Sequence, residues 1–232
     1  MNASLWEDFI DIFYAPSQVF ARRERSSFWI PLLVVTVLMS AVFYLNSGAL
    51  QPVLDADFDR SMAAAMRDNP KIPAEAVEQM RGVASRMGQV FVVVFMPLAI
   101  FGVGIVMWLV GKLVDAKQAF RAALVVAAYA HVPRILESVV HGLQALLLDP
   151  AQLDGRFRLS LGPGRFLDPD TVSPLLLALV GRMDVFTIWI TVLIAIGLSV
   201  TGRIPLKHAA IAAAIVWIVG GLPAIFQALR AI

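Results

Sequence analysis

Four long stretches of this chain carry no charged side chain: residues 26–54, 87–111, 185–202 and 208–229, the last with His208 taken as neutral. A helix needs about 20 apolar residues to cross a hydrocarbon core of about 30 Å. Inside hydrocarbon every backbone polar group must find its partner within the chain, which leaves only helices and closed barrels. Barrel strands alternate apolar and polar residues over about 10 positions, whereas these runs are continuous. The reading is an all-α polytopic membrane protein.

Composition supports that reading and narrows the function. Only 16% of residues are charged and 59% are hydrophobic, against about 25% charged in a soluble domain. A water-soluble enzyme is excluded. So is a nucleic-acid partner: the pI is near 9.2, but the net charge is only +2 and no basic stripe is interleaved with aromatics. Cysteine is absent, which removes disulfides, thiolate metal sites and thiol nucleophiles. The first 27 residues carry Glu7, Asp8 and Asp11, and the run that follows is far longer than the about 7–15 residues of a signal-peptide core. The first span is therefore expected to remain as an anchor.

Two regions are expected: a cytoplasmic amphipathic segment over 1–27, then a five-span membrane domain over 28–232. In the first, Leu5, Trp6, Phe9, Ile10 and Phe13 recur at helical spacing, with Glu7, Asp8 and Asp11 elsewhere. Ser4 and Glu7 have the spacing of a capping box, and Pro16 ends this helix or divides it from a second one. Trp6, Phe9, Asp11, Phe13, Tyr14 and Pro16 form the candidate interface. It either lies on the bilayer or docks a soluble partner.

Spans are expected over about 28–50, 89–110, 122–148, 185–200 and 209–229. Two short amphipathic helices are expected between the first two, one on Phe58, Met62 and Met66. The other, on Ala76, Val77, Met80, Val83, Ala84 and Met87, has the pattern of a packing surface and runs on into span two. The connector 149–170, rich in Gly and Pro, reads as an ordered loop or a short hairpin, and residues 174–180 as an interfacial lead-in to span four. Gly220, Gly221 and Pro223 are expected to bend or end the last helix.

Span three is unusual. His131, Arg134, Glu137 and His141 share one face of it, and Pro133 sits in its middle. An ionisable residue at the bilayer centre costs at least ~2.5 kcal/mol, so this face must look into the bundle, at a water-filled cavity or at itself. Arg134 and Glu137 can pair at i, i+3. A metal is not expected, because the spacing matches no His-Glu-x-x-His pattern, and no catalytic residue or cofactor is read from the chain. Whether span three crosses fully or re-enters at Pro133 stays open. Short connectors hold Arg22, Arg23, Arg25, Lys112, Lys117, Arg121, Arg203 and Lys207. The positive-inside rule then places the N-terminus in the cytoplasm and the C-terminus outside.

Three stretches resemble one family. DIFYAPSQVFARRERSSFWIPLLVV is similar to the segment before the first span in bacterial members of the Yip domain family, named for Ypt/Rab-GTPase-interacting proteins. AFRAALVVAAYAHVPRILE resembles that family's middle segment, and DVFTIWITVLIAIGLSVTGRIPLKHAAIAAAIVWIV its fourth and fifth spans. The resemblance implies five spans and a cytoplasmic N-terminus. Eukaryotic relatives carry Asp-Leu-Tyr-Gly-Pro before the first span and are linked to Rab GTPases. The string here, Asp11-Ile12-Phe13-Tyr14-Ala15-Pro16, is one residue longer and lacks the glycine, so a Rab partner is not carried over. Some bacterial relatives are associated with export systems.

The expected function is a non-enzymatic scaffold or accessory subunit of a bacterial inner membrane. It would bind other membrane proteins or itself, with an export or trafficking system as the setting. The alternative is a small transporter or channel that uses the polar face of span three.

Overall fold

The computed structural model describes residues 4–230, apart from the side chains of residues 68, 89, 91 and 230. Residues 1–3 of the expected N-terminal segment and residues 231–232 of the expected membrane domain lie outside the described residues. Ten α-helices follow one another: α1 (Leu5–Asp11), α2 (Pro16–Arg23), α3 (Trp29–Leu45), α4 (Ser47–Asp68), α5 (Ala74–Leu113), α6 (Phe120–Ala130), α7 (Pro133–Leu147), α8 (Pro174–Val180), α9 (Val185–Gly202) and α10 (Leu206–Arg230). No strand occurs among the described residues, and the all-α polytopic membrane class holds.

Among the described residues four segments are long and apolar enough to cross a membrane: Val92–Leu113, Phe120–Leu147, Val185–Gly202 and Leu206–Leu229. The first expected span is shorter than its apolar run, and it adds a fifth crossing only if the bent pair that it forms with α4 counts as one span. α3 stops at Leu45, and the chain turns by 88° into α4, so the expected boundary at Leu50 falls within the next helix. The cause is local. Asn46 leaves helical geometry (φ −102°, ψ 6°), its side-chain amide donates to the Val42 carbonyl, and the Ser47 hydroxyl donates to the Tyr44 carbonyl. Such side-chain bonds offer the backbone an alternative to continuing the helix. Gly142 of α7 makes room for this corner, since a Cβ there would lie 2.6 Å from Asn46 Cγ.

α6 is the centre of the bundle. Every residue from Ala122 to Ala130 is buried, as a helix that is apolar on all sides requires. It packs against α5, α9 and α3. Small residues set these approaches: a Cβ on Gly104 of α5 would lie 2.7 Å from Leu124 Cδ2 and 3.3 Å from Leu124 Cα, and one on Gly197 of α9 would collide with Val126. By contrast, the outward faces of α5 and α10 leave Leu98, Leu109, Ile211 and Ile218 exposed, as lipid-facing helices do.

The remaining expectations divide. α5 is one helix of 40 residues, so its amphipathic start does run on into span two. The later part of its stripe is open, however: Met80, Val83 and Met87 are exposed, while Ala76 and Val77 are half-buried. α4 meets α5 from another side, through Arg81, which binds Asp59 at 2.5 Å and lies over the Phe58 ring. The connector 149–170 is ordered as three short three-ten turns, and α8 forms the lead-in. Gly220, Gly221 and Pro223 do not end the last helix, which runs through them to Arg230.

Candidate functional site

The N-terminal segment folds into a helical hairpin on the bundle. Ser4 caps α1 with the expected reciprocal box: Glu7 N–H donates to Ser4 Oγ, and Ser4 N–H donates to the Glu7 carboxylate at 2.9 Å. Pro16 is the first residue of α2, where its missing N–H costs nothing. The surprise is which face turns inward. Asp8 and Ile12, one helical turn apart, are fully buried, as are Val19 and Phe20 of α2. The expected apolar row is split: Trp6 is 71% exposed and Ile10 64%, as is Tyr14 beyond them at 71%, while Phe9 and Phe13 of the same row meet aromatic rings of the bundle.

A buried carboxylate is tolerable only when paired and hydrogen-bonded. Asp8 is held by Arg22 at 2.5 Å and by Arg23, and Tyr129 of α6 reaches it at 3.4 Å. Asp11 accepts from Tyr14 and from Arg22, and these two bonds hold its carboxyl below the usual carboxylate range. Two acids and two arginines therefore neutralise one another between α1 and α2.

Aromatic contacts fix where this hairpin sits. Phe9 packs on Tyr129 with ring centroids 5.7 Å apart, and Phe13 meets Trp189 of α9 edge-on at 5.3 Å. At the other end Glu24 pairs with Arg203 at 3.4 Å, and Arg121 donates to the Ser26 carbonyl. α2 thus lies along α9. Its tip is level with Trp189, about 20 Å along the helix from Gly202 at 1.5 Å per residue.

In the third span, Pro133 starts α7 after a break at His131 and Val132. Its ring removes a donor and crowds the preceding turn; His131 and Val132 instead make three-ten bonds to Ala128 and Tyr129. His131 turns back on its own helix, its Nδ1 2.7 Å from the Ala127 carbonyl oxygen. A carbonyl only accepts, so Nδ1 carries the proton. Arg134 and Glu137 form the expected pair, at 2.7 and 2.5 Å, and Arg134 also donates to Thr187 of α9 at 3.3 Å. The His141 Nε2 is buried without a hydrogen-bond partner among the described residues.

The structure extends this polar layer with residues that periodicity alone does not single out. Asp184 caps α9 through the Phe186 N–H, and it also accepts from Ser160 Oγ and Leu161 N–H at 2.7 Å. Burial pushes its carboxyl up, but these three donors outweigh burial and hold it below the ordinary range. Arg182 lies over the Trp217 ring and donates to the carbonyls of Trp217 and Gly220. A Cβ on Gly221 would lie 2.8 Å from Arg182 Cδ. The glycine pair thus makes room for an arginine where a helix end was expected.

A family model described as the Yip1 domain matches residues 10–226, from inside the N-terminal hairpin to the last turns of α10. The chain belongs to the Yip1 domain family. It is also similar to "Membrane protein YknW" of Bacillus subtilis (strain 168), with 26% identity over 204 residues, covering 88% of this chain and 82% of that one. No solved structure matches. The match begins within α1, two residues after Asp8, and runs through α2, the polar layer and the candidate spans as far as residue 226.

Proposed function

We propose that this Yip1-family protein is a non-enzymatic membrane scaffold or accessory subunit. It binds an apolar helix of another membrane protein on the outward face of its N-terminal hairpin. The observation that carries this is the set Trp6 and Ile10, exposed on α1, with Tyr14 exposed in the turn after it, while the opposite face of α1 is locked by buried Asp8. A surface already held in one conformation loses little entropy when it binds. Large aromatic and aliphatic side chains in a cluster are the residues that dominate such contacts. In this reading the end carrying Arg25, Lys117, Arg121 and Arg203 faces the cytoplasm of a bacterial inner membrane, and an export or trafficking assembly is the setting.

The test is native purification in mild detergent with a tag on the full chain. A stoichiometric membrane partner should co-purify with the wild type and be lost from Trp6→Ala/Ile10→Ala, while the melting temperature stays within a few degrees. A partner-free monomer in both would overturn the reading, and a homodimer broken by the same change would make the partner a second copy.

His141 favours a second reading, a small transporter or channel along span three. Its Nε2 has no hydrogen-bond partner among the described residues and sits within electrostatic reach of Glu137 and Asp184, and intramembrane ionisable residues mark ion and proton pathways. Liposome flux compared between wild type and Glu137→Gln decides it. Equal leak in both removes the pathway.

A further inference from the structure

The basic end of the bundle contains a cleft of about 420 Å³ lined by Glu24, Arg25, Lys117, Ala119, Arg121 and Arg203, with Ala122 at its floor. Three separate connectors and the start of α6 build it. The linker after α2 brings Glu24 and Arg25, the turn between α5 and α6 brings Lys117, the first turn of α6 brings Arg121, and the turn between α9 and α10 brings Arg203. The two turns are tied together by the Lys117 N–H donating to the Gly202 carbonyl at 2.9 Å. Arg203 takes a left-handed backbone at the end of α9 (φ 54°), which swings its side chain over to Glu24. That pairing accounts for the one carboxylate in the cleft, and neither Arg25 nor Lys117 is ion-paired among the described residues.

A second feature points the same way. α6 begins at this cleft with Ala119 as its N-cap, and no side chain caps it. The unbonded N–H groups of a first helical turn carry partial positive charge and favour an anion. Four cations and an open helix terminus therefore converge on one cleft.

Its surroundings are apolar in a particular manner. Trp29, Leu113, Phe120 and Leu206 are all exposed at this end of the bundle. Trp108 packs on Phe120 at 5.5 Å and under the Lys112 ammonium at 5.2 Å. Aromatic side chains of this kind mark the headgroup level of a bilayer. Cations backed by exposed apolar side chains suit an amphiphile, with its phosphate in the cleft and its acyl chains along the helices.

We infer that this cleft binds the phosphate headgroup of an anionic phospholipid. The lipid would bridge the three connectors and fix the hairpin's lower end to α6 and α9. Basic pockets between membrane helices bind such headgroups, and each Lys or Arg near an anionic membrane surface contributes about 1 kcal/mol of attraction.

The experiment measures the melting temperature of the full chain in neutral detergent while one of three additives is titrated: phosphatidylglycerol, phosphatidylcholine or inorganic phosphate. Phosphatidylglycerol should raise it saturably, as a ligand of the folded state does, and phosphatidylcholine should not. Arg25→Gln/Lys117→Gln removes two unpaired cations and should weaken half-saturation about thirtyfold. Lys207→Gln, outside the cleft, should leave it unchanged. If that double variant fails to fold, Arg203→Gln, 60% exposed at its side chain, replaces it with a shift of about fivefold. A phosphatidylglycerol response that the cleft variants leave intact would overturn the site. Inorganic phosphate saturating at the same concentration would overturn the lipid assignment and move the ligand to a soluble phosphate compound.

Discussion

The N-terminal hairpin and the α4–α5 arm are both amphipathic helix pairs rich in arginine and aspartate, and they use those charges in opposite ways. In the hairpin, Asp8 is fully buried and Arg23 is only 18% exposed at its side chain. In the arm, Arg81 binds Asp55 and Asp59, which are 40% and 61% exposed. The same ion pair thus acts as a lock in one region and as a solvated surface contact in the other. Burial decides this, because water screens the second pair and not the first.

The largest expected effect breaks the lock. Asp8→Ala leaves Arg22 and Arg23 facing each other without their shared acid and should cost about 3–5 kcal/mol. Arg81→Ala in the arm should cost about 1 kcal/mol or less. Thermal melts of both variants in one detergent check the contrast, and similar losses would erase the distinction between the two regions.

Next comes the pair in span three. Arg134→Met or Glu137→Leu alone orphans a charge and should cost about 3 kcal/mol. The double change should be milder than either, the non-additivity expected of groups in contact. Strictly additive losses would mean that each charge has its own separate partner.

Asp184 yields a smaller, pH-dependent effect. Its folded carboxyl is held below the unfolded value, so the stability it contributes is present above the unfolded pKa and is lost as pH falls through the folded one. Asp184→Asn should therefore flatten the acid side of the stability curve below about pH 4 and lower stability at neutral pH by about 2 kcal/mol. An unchanged acid limb would show that its three donors do not favour the charged form.

The smallest effect is expected in the arm. Met80 is 48% exposed, so Met80→Asp and Gln79→Asp should both lie within about 0.5 kcal/mol of wild type. A selective loss at Met80 would reveal a partner that covers this face.

What the sequence could reveal follows the same division. Three of the spans, in α5, α9 and α10, were legible because uncharged length is a one-dimensional signal, and the Arg134–Glu137 pair because i, i+3 spacing brings the two together on any helix. The corner at Asn46 was not, since it depends on a side chain bonding back to Val42 inside an unbroken apolar run. Neither was the purpose of Gly220 and Gly221, because Arg182 approaches them from 38 residues away in the chain. The stripe through Met80 has the pattern of a packed face, but periodicity records which residues align and not what lies opposite. In the hairpin one clue was present: Asp8 stands a turn from both Leu5 and Ile12, a charge on an otherwise apolar line. Its partners Arg22 and Arg23 could be assigned only once the turn at Pro16 brought α2 alongside.

The central claim is that α1 and α2 form a fixed part of the bundle, seated beside α9 and held by Asp8. The chain has no cysteine, so introduced thiols report cleanly. Phe13→Cys/Trp189→Cys, treated in membranes with a short bifunctional maleimide, should cross-link within the chain in high yield. Adding Asp8→Ala should abolish most of it, and Met80→Cys/Trp189→Cys should not link at all. Absence of the first cross-link, or its persistence at full yield without Asp8, would contradict the account.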